Sequence, residues 1–468
     1  MFIPSNCLIH RFPRLIILAT LSLLITTGLQ ASDKGADTEM ETLRQEVATL
    51  KERIETLEAQ LSAIMQLNSV APDPGNTEKI NAGISPVRPE TTEQAARDNV
   101  VVTTADNSAI NVGGRLKIDA IYNSRSTGGN SGTNASDLAF SPASIPVTAT
   151  GEHDQLSFNA RQTRLWLKGY SPSDYGEMAG YIEIDFNASS SASNERVSNS
   201  YTPRLRHAYG NVGGLTLGQT YTTFMNVSAF PEINDLNGPV GIMNIRQPLL
   251  RYHTQSDSAD VYLALENPET TLTTSSGSRL APDDDRLPDL VGKVEFTGDW
   301  GNWSLAGMAR QIRHDSNTAA MGDDSTWGGA VSAAGRIRLG RRDNLRFSLS
   351  YGNTLGRYIS YNAINDGVIT DNGEIELTEM IGGYLAWQHW WKDDLRSTFA
   401  AGFASADHSP AVNPSLVNEK FYSTHLNLIW NPSLNSSIGI EWLHGYRELG
   451  DGRDGHLNRI QITSMYNF

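Results

Sequence analysis

The segment His456–Phe468 reads HLNRIQITSMYNF. Ile460, Ile462 and Tyr466 fall in step, with Arg459, Gln461, Thr463 and Asn467 between them. Side chains alternate across a β-strand, so this is a strand with one apolar and one polar face that runs into a terminal aromatic carboxylate. Such a strand suits the closing position of a bacterial outer-membrane barrel, where one face meets lipid and the other a polar lumen. An amphipathic strand of a soluble sheet carries the same pattern, and the rest of the chain must separate the two.

Upstream, period-two patterning persists back to Ala109. It predicts about sixteen strands, from Ile110–Tyr122 and Leu156–Tyr170 through to Ser436–Arg447 and His456–Phe468. Odd-numbered strands lead into long polar stretches such as Asn123–Asp154, Asn187–Pro203, Asn267–Pro288 and Gly356–Gly373. Even-numbered strands lead into tight turns such as Ser171–Gly176, Asp299–Gly301, Gly340–Asp343 and Asn431–Ser433. This alternation is that of an up-and-down barrel with loops outside and turns in the periplasm. A soluble sandwich supplies no reason for it. Aromatics gather near the predicted strand ends, among them Tyr122, Tyr170, Tyr181, Tyr209, Phe224, Trp300, Trp391, Trp430 and Tyr466, and are expected to form girdles at the headgroup level.

The N-terminal region carries an export signal over residues 1–31. Arg11 and Arg14 precede the apolar run Leu15–Leu24 and a small-residue exit at Gly28–Ala31. That run is too short to span a bilayer as a helix, and no later run approaches the length required. Cys7, the only cysteine, lies within the signal, so the mature chain lacks thiol chemistry. Losing two arginines with the signal takes the formal charge from −15 to −17. An acidic chain of mean hydropathy −0.35 fits a soluble protein or a barrel equally, because inward polar residues cancel outward apolar ones.

Over residues 38–66 the apolar positions Met40, Leu43, Val47, Leu50, Ile54, Leu57, Leu61 and Ile64 step alternately by three and four, without Gly or Pro. This predicts a periplasmic coiled coil with Leu43, Val47, Leu50, Ile54, Leu57 and Leu61 in its seam. A helix of this length is marginal alone, so the stripe is buried against copies of itself, making an oligomer, or against its own barrel. The a/d composition favours two strands in model peptides while a barrel partner can impose three. Residues 67–108 read as a flexible linker, with Val100–Thr103 as an apolar patch able to dock or to occlude the lumen. The barrel domain then occupies residues 109–468.

Within the strands, Arg204 and Arg206 share a face opposite Leu205 and Tyr209, and Arg336 with Arg338 repeats the device. Arg164 and Lys168 oppose Leu165 and Leu167. Lys117 with Asp119, and Glu183 with Asp185, are placed likewise. Charges facing lipid are costly, so these residues are expected in the lumen, together with Arg246 and Arg251. A basic lumen favours anions, whereas full neutralisation by the lumen acids leaves a wide unselective pore. The third long loop, Met225–Asn244, is too apolar for a solvated loop and too broken by Pro and Gly for a strand. It is expected to fold inward as a constriction, with Phe230 apolar and Glu232 and Asp235 able to face arginines, or to pack on a neighbouring subunit. No catalytic constellation or metal-ligand spacing emerges, and an enzyme is not expected.

The heptads of Met40–Ile64, with INVGGRLKIDAIY (Ile110–Tyr122), ARQTRLWLKG (Ala160–Gly169), GYIEIDF (Gly180–Phe186), RLRHAYGNVGGLTLGQTYTTF (Arg204–Phe224) and the loop around Phe230–Asn244, resemble the DcaP-like porins. The resemblance covers most of the mature chain. It implies three 16-stranded barrels joined by a three-helix periplasmic coiled coil, preferring small anions such as dicarboxylates. Carried onto this sequence, it makes Arg164, Arg204, Arg206, Arg246 and Arg251 the candidates for a narrow basic zone. The expected partners are copies of the chain, outer-membrane lipid and lipopolysaccharide, and small anionic solutes. Nucleic acid, cofactors and metals are not expected. The competing reading is a non-conducting anchor whose coiled coil engages the cell wall.

Overall fold

A computed structural model describes residues 100–103, 108–126, 139–148, 154–188, 201–256, 259–315 and 324–468, with residues 48 and 199 besides. The signal, the coiled-coil seam positions and most of the linker lie outside the described residues.

Sixteen strands form one antiparallel barrel. They are β1 (Ala109–Asn123), β2 (Gln155–Asn159 and Arg164–Ser173), β3 (Gly176–Asp185) and β4 (Arg204–Val212). Next come β5 (Leu215–Tyr221), β6 (Arg246–Gln255), β7 (Asp260–Glu266) and β8 (Asp289–Gly298). Then follow β9 (Gly301–His314), β10 (Asp324–Leu339), β11 (Asp343–Gly352) and β12 (Glu379–Trp390). The last are β13 (Leu395–Asp407), β14 (Asn418–Ser433), β15 (Ser436–Leu449) and β16 (Asp454–Asn467). Each pairs with the next, and β16 returns to β1 in the register Arg115↔Asn467 to Asn123↔Arg459. Closure of this kind leaves no unpaired edge. The terminal residue seals the seam: Phe468 N donates to Gly114 O at 3.0 Å, and Gly114 N to Phe468 O at 2.9 Å. A Cβ on Gly114 would meet the Phe468 ring, so a side chain there would displace the terminal ring from its place on the seam.

The alternation read from the sequence sorts into inside and outside. On β14, Phe421, Ser423, His425, Asn427 and Ile429 are buried, while Tyr422, Leu426, Leu428 and Trp430 are exposed. On β7, Val261, Leu263 and Leu265 are exposed between buried Asp260, Tyr262, Ala264 and Glu266. The same rhythm on the other strands produces an apolar outer belt that water would penalise and lipid would not. Outward Trp300, Trp391, Trp430 and Tyr466 stand at the turn end, with Tyr122, Trp327 and Tyr351 at the loop end.

Among the described residues, three loop segments fold into the barrel from the loop end. They are residues 139–148 with the 3-10 turn Pro142–Ser144, residues 222–245 with Val227–Ala229, and residues 353–378. Phe140, Ile145, Phe224, Met225, Val240, Met243, Leu355, Tyr358 and Ile359 make an apolar core among them. This core explains why the loop around Phe230 is apolar. Phe224 is therefore packed against Tyr358, ring centroids 5.9 Å apart, and is not part of a girdle as expected. Above the barrel, Leu272–Thr274, Arg279–Leu280, Gly367–Ile369 and Ile375–Leu377 form a small sheet that joins the loops after β7 and β11. Val100–Thr103, the linker patch able to dock or to occlude the lumen, docks as a strand paired with the start of β1 through Val100↔Asn111 and Thr103↔Ala109.

Candidate functional site

The loop after β5 crosses the lumen and fastens to the far wall. Lys117 Nζ on β1 and Gln461 Nε2 on β16 donate to Asn234 O at 2.8 and 3.0 Å. Arg459 Nη1 donates to Asp235 at 2.7 Å, and Phe140 N to the same carboxylate at 3.0 Å. Asn234 N donates to Glu441 at 2.6 Å, and Asn427 Nδ2 to Glu232 O at 2.8 Å. Arg396 clasps Glu232, with its Nε at 2.6 Å, and Gln388 adds a further donor. Arg346 donates to Phe230 O, and Tyr384 to Ala229 O at 2.9 Å. The loop's backbone lies directly on the wall at Val240, whose carbonyl would sit 2.0 Å from a Cβ on Gly402.

Glu232 and Asp235 thus meet arginines, as their position allows, but those of β13 and β16, where they serve as anchors. Lys117 lies in the lumen as its strand pattern predicts, but nothing in the sequence marks it, Arg396, Arg459 or Gln461 as an anchor of this loop. Asp235 and Arg459 are 224 residues apart, and alternation along a strand carries no information about a contact across the lumen.

Among the described residues, no hydrogen bond joins this loop to β2, β3 or β4. That bare wall, together with β6 beside it, carries the basic residues expected from the sequence. Arg204 grips Asp185 with two bonds of 2.9 and 2.7 Å. Arg206 is buried, bonds Glu183 through Nε, and reaches Asp185 with Nη1 at 3.0 Å. Arg164 lies 3.8 Å from Glu183. Glu183 and Asp185 therefore hold the arginines in an ordered array, in which charge-assisted bonds fix each guanidinium plane.

The facing of Tyr209 needs correction. Glu183 pairs with His207 but Ile184 with Leu205, so Arg206 is the extra residue of a β-bulge. The bulge resets the alternation and turns His207 and Tyr209 inward beside Arg206. The His207 ring lies 4.8 Å from that of Tyr221 and 5.8 Å from that of Tyr181. Tyr181 is also inward, its hydroxyl 2.7 Å from Glu183, and Tyr170 shares the face of Arg164. These three tyrosines line the lumen and are not girdle residues.

Arg246 and Arg251 stand apart. Neither forms an ion pair with any described residue. Arg246 lies over the Tyr221 ring at 5.4 Å and donates to Asn244 Oδ1 at 3.2 Å. It feels the like charges of Arg206, Arg204 and Arg164. Arg251 lies 6.0 Å over the Tyr262 ring. Arg336 is inward and level with Arg346 on the next strand. Arg338 shares its face but stands exposed at the turn end, where it donates to Asp299 O at 3.3 Å. It belongs to the rim and not to the narrow zone.

A family model, the DcaP outer membrane protein, matches residues 41–468. The chain belongs to the DcaP family. Its membrane is accordingly the outer membrane, and the apolar belt is the surface that meets lipid. The crystal structure of the outer membrane channel DcaP of Acinetobacter baumannii superposes with a TM-score of 0.66 at 23% identity, covering 79% of this chain and all of that one. OmpT of Vibrio cholerae, in a trimer form, gives 0.50 at 10% identity over 77% of this chain and 99% of that one. These likenesses establish a shared barrel fold. No curated protein matches the sequence.

Proposed function

We propose that this DcaP-family barrel is a diffusion channel for small hydrophilic solutes that favours anions, dicarboxylates among them. The observation that carries the reading is the pair Arg246 and Arg251, two inward cations that no described carboxylate meets within ion-pair distance, although Glu266 and Glu295 act on Arg251 through space. A cation in a confined lumen lowers the entry cost of an anion and raises that of a cation. Arg also offers paired donors to a carboxylate. The Acinetobacter baumannii relative is described as a channel, which supports conduction over a closed anchor. The Vibrio cholerae OmpT trimer and the heptads at Leu43, Val47, Leu50, Ile54, Leu57 and Leu61 support a homotrimer with a periplasmic coiled coil.

The test is the reversal potential of the purified protein in a planar bilayer under a KCl gradient. A chloride-favouring potential with conductance in steps of three supports the reading, and Arg251→Ala then weakens the preference. A cation-favouring potential overturns the anion preference. Absence of conductance favours the anchor.

A further inference from the structure

The loop after β5 does not narrow the lumen alone. The loop after β11 enters beside it: Ile359 forms a bridge with Met243, Ser360 N donates to Ile242 O at 3.0 Å, and Gly241 N donates to Ser360 Oγ at 2.8 Å. At this junction Ser360, Tyr361 and Asn362 have φ of 49, 59 and 55°. Three successive non-glycine residues in the left-handed region are strained, since L residues visit it singly and at a cost. The turn is held from both sides, by the bonds to the neighbouring loop and by Asn362 Nδ2 donating to Ile364 O at 2.9 Å, with Arg279 donating to Asn362 O. Its effect is to project the Tyr361 side chain, 37% exposed, toward Arg246.

One amide links the two. Arg246 can only donate, so the Asn244 atom that meets it is Oδ1, and Nδ2 is left to face Tyr361. Asn244 Nδ2 therefore donates to the Tyr361 hydroxyl oxygen, and the hydroxyl proton is free to point elsewhere. The donors left to the group are the other guanidinium N–H groups of Arg246 and the O–H of Tyr361, while Asn244 Oδ1 and the Tyr361 oxygen each already accept one bond. A recess whose unused groups are chiefly donors, beside a cation that pairs with no described carboxylate, complements an acceptor-only anion.

We propose that Arg246, Asn244 and Tyr361 form a subsite for the carboxylate of a permeating solute, with Tyr361 as the residue that distinguishes a carboxylate from a halide. A carboxylate presents two acceptor oxygens in one plane, one for Arg246 and one for Tyr361. Chloride is satisfied by the cation alone. The inference rests on the anion-favouring reading of the channel and deepens it by naming a specificity-determining residue, Tyr361, outside the crossing loop.

The experiment uses the full-length protein in planar bilayers with KCl on one side and dipotassium succinate on the other. Tyr361→Phe keeps the ring and the backbone demand while removing the donor. The succinate-to-chloride permeability ratio is expected to fall about tenfold, the loss of one hydrogen bond to a charged acceptor. Asn244→Asp, which places an acceptor between the two donors and satisfies both, is expected to lower the ratio as well. Heat-modifiable migration on gels checks that each variant is folded. A folded Tyr361→Phe or Asn244→Asp protein with the wild-type ratio overturns the inference. In that case an anion-favouring wild type in KCl leaves the channel reading standing, whereas a cation-favouring wild type overturns both.

Discussion

Arg459 on the closing strand and Asp235 in the crossing loop form an ion pair of 2.7 Å with both side chains buried. Removing one partner of a buried pair leaves an uncompensated charge and costs about 3–5 kcal/mol. Here the cost falls on the docking of the loop, because the ladder between β16 and β1 does not depend on it. Asp235→Asn is expected to raise single-channel conductance and its fluctuation, with native migration on gels. Wild-type conductance would mean that the bonds at Asn234 and Glu232 hold the loop without the pair.

Glu232 neutralises Arg396 at the same wall. Glu232→Gln keeps the shape and releases one positive charge into the lumen. The reversal potential under a KCl gradient should move further toward chloride. An unchanged potential would place this carboxylate outside the ion path.

The outer belt predicts a different cost. Leu263 is exposed at the middle of β7. An arginine near the bilayer midplane costs about 2–4 kcal/mol, so Leu263→Arg should lower the guanidinium midpoint for unfolding from liposomes. An unchanged midpoint would deny that this face meets lipid.

In the loop after β13, burial pushes the His408 imidazole below its ordinary value, against the opposing pull of the Asn418 carbonyl at 2.7 Å and of Glu419 and Asp407. Its folded pKa lies below the unfolded value of about 6.5. The stability it contributes is thus present above that pH and lost as pH falls toward the folded value. Amide exchange in residues 408–417 should rise on acidification below pH ~6.5, and His408→Gln should remove that dependence.

Deleting residues 38–66 should convert the proposed oligomer to monomers or weaken it, read by native mass spectrometry in detergent. A full-strength oligomer after deletion would assign the association to the barrel surfaces.

Sixteen strands were legible because period two is a local property, repeated wherever one face meets lipid and the other the lumen. What the pattern could not carry is the bulge at Arg206. One inserted residue reverses every facing after it, and both Tyr209 and His207 follow. Aromatic identity misled for a related reason: a tyrosine near a strand end suits a girdle or a lumen equally, and Tyr170, Tyr181 and Tyr209 took the second place. The loop around Phe230 was recognisable as inward from its apolar composition. Its anchors Arg459 and Arg396 were not, since they lie on strands that show no local mark of the contact. Nothing in the composition of Leu355–Asn365 foretells the left-handed turn that presents Tyr361.

The seam that joins Arg115 to Asn467 has a bearing on biogenesis. The first strand finds its second neighbour only among the last residues of the chain, so every earlier strand waits with an unsatisfied partner at one end of the series. Loop closure over such a span is slow relative to local pairing. The polypeptide must be delivered whole, and kept from aggregating in transit, before the wall can be completed. Because Arg459 and Gln461 belong to that last strand, the crossing loop acquires its final fastenings at the same moment, and the aperture takes its working dimensions only when the cylinder closes.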